Sequence, residues 1–249
     1  MELKLEGKRA LVSGSTAGIG WAIAAGLAAE GAEVVVNGRT QERVDAAVRA
    51  IADRHPAARL RGVAADLGTA AGCARMAEEV PEVDVLVNNL GIFEVKSFAE
   101  ISDEEWKRFF EVNVLSGVRL SRTYLPGMLA RNWGRILFIS SESALQIPVE
   151  MIHYGMTKTA QLAVSRGLAE SAAGTGVTVN SILAGPTRSE GVEQFLAGMA
   201  AQQGVSTTDV ERGFFQNARP TSLLRRFATP CRMMRAAWSA SITPGIANW

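Results

Sequence analysis

Tyr154 and Lys158 stand four positions apart, so a helix through them would bring both side chains to one face. Ser141 precedes the tyrosine by thirteen positions and follows the apolar run at 135–140, which is typical of a buried strand. A phenol with a pKa of about 10 is a poor acid or base at neutral pH, but a neighbouring ammonium stabilises the phenolate. These residue types predict proton transfer to a carbonyl or from an alcohol, with the hydride supplied by another group. Taken alone, the Tyr154 and Lys158 pair could also be an accidental pair on a helix surface.

A glycine-rich segment follows the first apolar run of the chain. Residues 13–20, SGSTAGIG, lie between the apolar run at 9–12 and a helical pattern at 21–29. Glycines let the backbone approach a pyrophosphate, and a helix N-terminus offers N–H groups and a partial positive charge. The segment therefore predicts a dinucleotide site, with a glycine-rich turn that binds no ligand as the alternative.

The remaining pattern alternates apolar runs with helical stretches. Strands are expected at 34–36, 59–64, 83–87, 134–140 and 177–183, and helices at 41–54 and at 103–131, the latter broken near Gly117. The first four strand-helix repeats are each about thirty residues long, which favours parallel strands with right-handed crossovers. The sequence predicts an α/β fold, a doubly wound parallel sheet, in a single domain over residues 1–249.

These motifs together resemble the short-chain dehydrogenase/reductase family, and most of all its 3-oxoacyl-(acyl-carrier-protein) reductases. The family's TGxxxGIG and NNAG motifs are matched at 13–20 and 88–91, with Ser13 and Leu90 as departures, and its Ser…Tyr-x-x-x-Lys motif at 141–158. The resemblance implies a Rossmann-like αβα sandwich of three layers. It also implies that the protein interconverts a carbonyl and a secondary alcohol on a small organic or acyl substrate.

The resemblance assigns roles to four catalytic residues. Tyr154 would transfer the proton, and Ser141 would hold the substrate oxygen, with Ser140 and Ser143 as fallback candidates for that role. Lys158 would lower the pKa of the tyrosine and bind the nicotinamide ribose. Asn113 would distort its helix and hold a relay water beside the lysine, although an internally paired polar residue is the alternative interpretation.

Further residues would bind the cofactor. Asp66 is expected at the adenine, with backbone contacts from Leu67, although Asp66 could instead cap the helix that begins near Thr69. The segment 184–189 is similar to the family's PGxxxT and would bind the nicotinamide carboxamide. The complete predicted set is Gly14, Ser15, Thr16, Gly18, Ile19, Gly20, Arg39, Asp66, Leu67, Asn89, Gly91, Tyr154, Lys158, Gly185, Thr187 and Ser189.

Arg39 indicates which cofactor is preferred. The predicted second strand is followed by no carboxylate that could hold the ribose 2′-hydroxyl of NAD, and a guanidinium matches the 2′-phosphate of NADP. NADP(H) is therefore predicted in preference to NAD(H). A solvated loop charge is the alternative interpretation of Arg39.

Composition excludes several other classes of protein. A formal net charge of +1 gives no basis for a nucleic-acid groove or a polybasic membrane surface. No apolar run reaches membrane-spanning length, and no signal-peptide pattern begins the chain, so a cytoplasmic location is expected. With two cysteines and two histidines, no metal site is predicted.

The last part of the chain departs from the family pattern. Residues 190–219 would form a substrate lid, but beyond Pro230 the tail at 231–249 has neither the acidic helix start nor the final VDGG strand. We interpret this as an altered reading frame or a truncation, with natural divergence as the alternative, and expect the final strand to be missing or altered. The helix after Lys158 would pack against its copy in a homodimer or homotetramer, weakened by the tail. A nucleotide-binding protein without turnover is the second functional hypothesis.

Overall fold

A computed structural model describes residues 4–185, 187, 196–197, 200 and 204–216. Six strands are present in that part of the chain: β1 (Arg9–Val12), β2 (Glu33–Gly38), β3 (Arg59–Ala64), β4 (Val85–Asn88), β5 (Gly134–Ser141) and β6 (Val177–Ala184). The helices that flank them are α1 (Gly18–Ala29), α2 (Gln41–Arg54), α3 (Ala70–Glu79), α4 (Asp103–Phe110), α5 (Ser116–Ala130) and α6 (Ile152–Ser171). A further helix spans Thr207–Gln216.

The six strands form one parallel sheet in the order β3-β2-β1-β4-β5-β6. Val12 at the end of β1 pairs in register with Val36 of β2 on one side and Val87 of β4 on the other. The strand order reverses between β1 and β4, and ligands of doubly wound sheets bind at the carboxyl ends of the strands at such a point. The predicted doubly wound parallel sheet is confirmed.

Helices cover both faces of the sheet because successive strand residues point to opposite sides. Val12 packs in the core under α1 and α2, whereas Leu11 packs in the core under α3, α5 and α6. Both side chains are fully buried. Strands buried on both faces read as continuous apolar runs, which is why β1 and β4 were recognisable in the sequence.

Helix α2 shows how local sequence sets an element's limits. Thr40 is its N-cap, and the threonine side chain accepts a hydrogen bond from the N–H of Arg43. Val44, Ala47 and Ile51 recur at helical spacing and are the buried face. The predicted bounds, 41–54, match the structure.

The alternative interpretation of Asp66 as a helix cap and the prediction of a helix break near Gly117 are wrong. Thr69, not Asp66, is the N-cap of α3, because the Thr69 hydroxyl accepts from the N–H of Gly72 at 3.0 Å while Asp66 accepts from the N–H of Gly68. The long helix does not break at Gly117. It widens into a π-helical turn at Glu111–Leu115, directly before α5.

Several predictions fall outside the described residues. These are Ser189, nearly half of the lid at 190–219, the tail at 231–249 and the final strand. Within the described part of the chain, no helix combines the length and the apolar character needed to cross a membrane.

Candidate active site

The glycine turn, residues 13–20, connects β1 to α1 at the carboxyl edge of the sheet. Gly14 and Gly18 have φ of +60° and +57°, a conformation that favours glycine. A Cβ atom on Gly20 would lie 2.5 Å from the Asn89 Nδ2 atom and closer still to the Gly14 carbonyl oxygen. Ala17 is the N-cap of α1 and has no side-chain acceptor for the first N–H groups of the helix. The turn therefore leaves backbone donors and space for an anion.

Side chains from three strand ends hold the glycine turn in place. Asn89 Nδ2 donates to the carbonyls of Ser13 and Gly14, each at 3.0 Å. Ser13 Oγ accepts from the N–H groups of Asn89 and Leu90. Asn37 at the end of β2 accepts from the Gly14 N–H through Oδ1 and donates through Nδ2 to the carbonyls of Val63 in β3 and Ala65 just after it. These bonds fix the turn before any ligand arrives.

The fold brings Ser141, Tyr154 and Lys158 together. Ser141 ends β5 and is buried, and its side chain is hydrogen-bonded to the hydroxyl of Tyr154 on α6. Burial raises the pKa of Tyr154, and the hydrogen bond to Ser141 acts in the opposite direction. The edge of the Phe93 ring approaches the tyrosine ring, with centroids 6.2 Å apart. Ser140 does not face this site, because its buried hydroxyl donates to the Lys158 carbonyl.

Lys158 is a buried cation in the same site. Its Nζ atom lies 5.6 Å from the centroid of the Tyr154 ring and donates to the Ile139 carbonyl at 3.0 Å and to Gln161 Oε1 at 3.2 Å. Burial lowers the pKa of Lys158 to about 8. Both acceptors are neutral. In the described part of the chain, the hydrogen bonds of the ammonium therefore go to a carbonyl and a carboxamide and not to a carboxylate.

Asn113 lies in the π-helical turn and connects it to the site. Its side chain forms two hydrogen bonds with the backbone of Ile92, accepting from the N–H at 2.7 Å and donating to the carbonyl at 2.9 Å. It also donates to the Thr157 hydroxyl at 3.0 Å. A Cβ on Gly91 would lie 3.4 Å from Lys158 Nζ and 3.5 Å from Asn113 Oδ1. Asn113, Ser141, Tyr154 and Lys158, the four residues that the sequence predicts to be catalytic, lie close together and are called the catalytic cluster below.

The other predicted cofactor residues lie along the same edge of the sheet. Arg39 is exposed directly after β2, and Asp66 is exposed after β3, whereas the Leu67 side chain is buried. Gly185 and Thr187 follow β6, and the Thr187 hydroxyl donates to the Gly185 carbonyl at 2.9 Å.

The structure adds three residues that sequence reasoning missed. Thr157 is buried, donates to the Tyr154 carbonyl and accepts from Asn113. Gln161 is buried between Lys158 and the π-helical turn, and Asn37 braces the glycine turn. Their positions in the sequence could have identified them, because Thr157 and Gln161 flank Lys158 on one helix and Asn37 lies at the end of a buried strand.

Comparison with known proteins identifies the family. The sequence profile of the short chain dehydrogenase family matches residues 8–200. The chain belongs to the short-chain dehydrogenase family. It is similar to the uncharacterised oxidoreductase YvaG of Bacillus subtilis, with 49% identity over 230 residues, which cover 92% of this chain and 87% of YvaG.

Two more relatives bear on the chemistry of the family. A 3-oxoacyl-[acyl-carrier-protein] reductase of Aquifex aeolicus is 35% identical over 189 residues, 74% of this chain and 76% of that protein. The crystal structure of L-sorbose reductase from Gluconobacter frateurii, complexed with NADPH and L-sorbose, is 30% identical with a TM-score of 0.83. That comparison covers 96% of this chain and 90% of the reductase. This short-chain dehydrogenase is therefore an NAD(P)-dependent oxidoreductase that acts on CH–OH groups.

Proposed function

We propose that this short-chain dehydrogenase is an NADP(H)-dependent enzyme that interconverts a carbonyl and a secondary alcohol, with Tyr154 as its acid-base residue. The observation that carries the proposal is the convergence of Ser141, Tyr154 and Lys158 at the carboxyl edge of the sheet, beside a preformed glycine turn. A phenol, a hydroxyl donor and a buried cation are the groups that a carbonyl oxygen needs when it gains or loses a proton.

The glycine turn fits a dinucleotide. Gly20 has no room for a side chain beside Gly14 and Asn89, and the N-terminus of α1 carries no side-chain cap. The pyrophosphate would bind at this helix end, with Gly14, Gly18 and Gly20 supplying the close approach. The nicotinamide of the bound cofactor supplies or accepts the hydride.

Three residues of the catalytic cluster have separate tasks in the reaction. Ser141 donates a hydrogen bond to the substrate oxygen, and Tyr154 gives that oxygen its proton during reduction or takes it during oxidation. The Lys158 cation stabilises the phenolate that forms, because an opposite charge favours the ionised form of a neighbouring group. Lys158 also has one N–H that the bonds to Ile139 and Gln161 leave for the nicotinamide ribose.

The surroundings of Tyr154 favour a substrate with an apolar part. Leu145, Ile147 and Val149 lie in the segment between Ser141 and Tyr154, and all three are exposed. Phe93 approaches the tyrosine ring from another element. We therefore propose a small organic or acyl carbonyl compound as substrate. The homodimer or homotetramer implied by the family stays a prediction, which a sizing column on purified protein checks.

Replacing Tyr154 by Phe tests the mechanism. The change removes only the hydroxyl, and we expect turnover to fall by about 10²–10⁴-fold while NADPH binding is kept. The chain contains one other tyrosine, Tyr124, whose hydroxyl donates to the Val80 carbonyl in the core. Tyr124→Phe is the matched control, because it should lower the unfolding free energy by about 1 kcal/mol and leave turnover unchanged. Equal turnover in Tyr154→Phe and the parent would refute the assignment.

Replacing Arg39 by Ser tests the cofactor preference. Asn37 already uses its amide to hold the glycine turn, and no carboxylate ends β2, so Arg39 is the residue proposed to meet the 2′-phosphate. We expect the dissociation constant of NADPH to rise about 10–100-fold and that of NADH to stay within about twofold. Fluorescence titration with each cofactor measures this. Arg49→Ser, an exposed arginine further along α2, is the control. A parallel loss of both cofactors in the Arg39 variant would contradict the preference.

A further inference from the structure

Gln161 forms a bridge inside the active site. It lies three residues after Lys158 on α6, and only 2% of its surface is exposed. Its Nε2 atom donates to the Asn113 carbonyl at 2.6 Å, and its Oε1 atom accepts from Lys158 Nζ at 3.2 Å. A single carboxamide therefore connects the π-helical turn to the buried cation.

The π-helical turn explains why the carbonyl is available. Within it, the Ser116 N–H donates to the Glu111 carbonyl, five residues back instead of four. Such a turn shifts the hydrogen-bond ladder, so that carbonyls inside it accept from other groups. The Val112 carbonyl accepts from the Ser116 hydroxyl at 2.6 Å, and the Asn113 carbonyl accepts from Gln161. The helix distortion thus leaves the Asn113 carbonyl available, and Gln161 supplies the donor that it binds.

We propose that Gln161 is a positioning residue that holds Lys158 beside the other residues of the catalytic cluster, in the place where the family resemblance predicts a relay water. The inference rests on the proposed function, since it assigns the cation its role beside Tyr154. The bonds to Ile139 and Gln161 fix two of the three ammonium N–H groups and so aim the third. A carboxamide neither releases nor accepts a proton near neutral pH, so this bridge orients the cation and does not conduct protons.

The bridge also favours the charged form of the lysine. Burial disfavours that form, and the partial negative charge of Gln161 Oε1 acts against the burial. The Tyr154 ring lies 5.6 Å from Nζ, and that is the group whose ionisation the cation supports. Loss of the bridge should make Lys158 lose its proton at a lower pH. A carboxylate at position 161 should hold the proton to a higher pH.

Gln161→Glu and Gln161→Leu test the proposal in opposite directions. Glutamate is nearly isosteric and adds a negative charge beside the cation, but it replaces the Nε2 donor to the Asn113 carbonyl by an acceptor. Leucine removes both ends of the bridge. We expect the alkaline limb of the kcat/KM profile to move to higher pH in the glutamate variant and to lower pH in the leucine variant. The leucine variant should also lose about tenfold or more in kcat at pH 8, with KM changed little, because one hydrogen bond to a charged group is lost. Ser165→Ala, buried one turn further along α6, is the control.

A second measurement does not depend on turnover. Carbon-13 NMR of labelled lysine follows the titration of the Lys158 ε-carbon in the protein without cofactor, with Lys158→Met to assign the signal. Opposite shifts of the titration midpoint in the two Gln161 variants are the expected result. Should Tyr154→Phe retain full turnover, the proposed mechanism fails while this titration still decides the role of the bridge. Midpoints that stay at the parent value in both variants, or a uniform loss of activity at every pH, would overturn the proposed role of Gln161.

Discussion

The glycine turn and the catalytic cluster lie at the same edge of the sheet, but different interactions hold them. Uncharged groups brace the turn: Asn37 and Asn89 bind its backbone directly, and the Ser13 hydroxyl within the turn accepts from the N–H of Asn89. Of the two titratable side chains in the cluster, Lys158 is buried and Tyr154 is partly buried, and burial shifts the pKa of Tyr154 upward and that of Lys158 downward. In both regions some bonds join distant parts of the chain, such as those from Asn89 to the turn and from Gln161 to Asn113. The turn is held rigidly by neutral hydrogen bonds. In the cluster, burial of the charged Lys158 lowers the free energy of unfolding, and the size of this loss depends on pH.

Gly20→Ala should have the largest effect on the turn. The added Cβ would meet Asn89 Nδ2 at 2.5 Å and the Gly14 carbonyl more closely, so backbone and brace must both shift. We expect NADPH affinity to fall by at least about tenfold and the unfolding free energy to fall by about 1–3 kcal/mol. Titration fluorescence and urea unfolding measure the two quantities. Gly167→Ala is the control, because a Cβ there meets nothing within 4 Å and should stabilise α6 by about 0.5–1 kcal/mol. Unchanged affinity in Gly20→Ala would mean that the turn is not a rigid shape.

Lys158→Met should change the pH dependence of stability. The folded pKa of about 8 lies below the ordinary 10.5, so between these values the unfolded chain holds the proton more tightly. The parent's unfolding free energy should therefore rise by about 2–3 kcal/mol from pH 8 to 10.5 relative to the methionine variant. Urea unfolding across this range checks the difference. Lys107→Met, at an exposed lysine near Glu104, should show no such change. If the unfolding free energies of the parent and Lys158→Met change with pH in parallel, burial of the charged lysine does not destabilise the fold.

His153→Leu should have the smallest effect, on the acid side. His153 is fully buried beside Phe109, with ring centroids 4.0 Å apart, and neither of its nitrogens has a hydrogen-bond partner among the described residues. Burial lowers the pKa of His153. Below pH 6.5 the imidazole therefore binds a proton in the unfolded chain more readily than in the folded protein. The parent's unfolding free energy should fall as pH drops through 6.5, and the leucine variant should lose less. His55→Leu, at the end of α2, is the control. Equal acid sensitivity in parent and His153→Leu would exclude this residue as the cause.

Local rules predicted most of the fold. Apolar runs located β1 and β4, and an apolar stripe at helical spacing located α2, because burial patterns repeat over a few neighbouring residues. Where two local rules compete, the prediction failed. Asp66 and Thr69 are both good N-cap residues, and only the path of the chain after β3 decides between them. The resemblance implied that Asn113 distorts its helix, and the structure shows that distortion as a π-helical turn at Glu111–Leu115. The bond from Gln161 of α6 to the Asn113 carbonyl was not predicted, because its two partners lie far apart in the chain.

The sequence by itself determined the parallel α/β framework, the glycine turn and the helical spacing of Tyr154 and Lys158, since each follows from residues close in the chain. Only the tertiary structure decided which polar groups meet. The Gln161 bond to Asn113 spans 48 positions, and the Asn89 bonds to Ser13 and Gly14 span 76 and 75. Such partners are chosen by packing of helices on the sheet, because a buried donor is stable only where the fold delivers an acceptor.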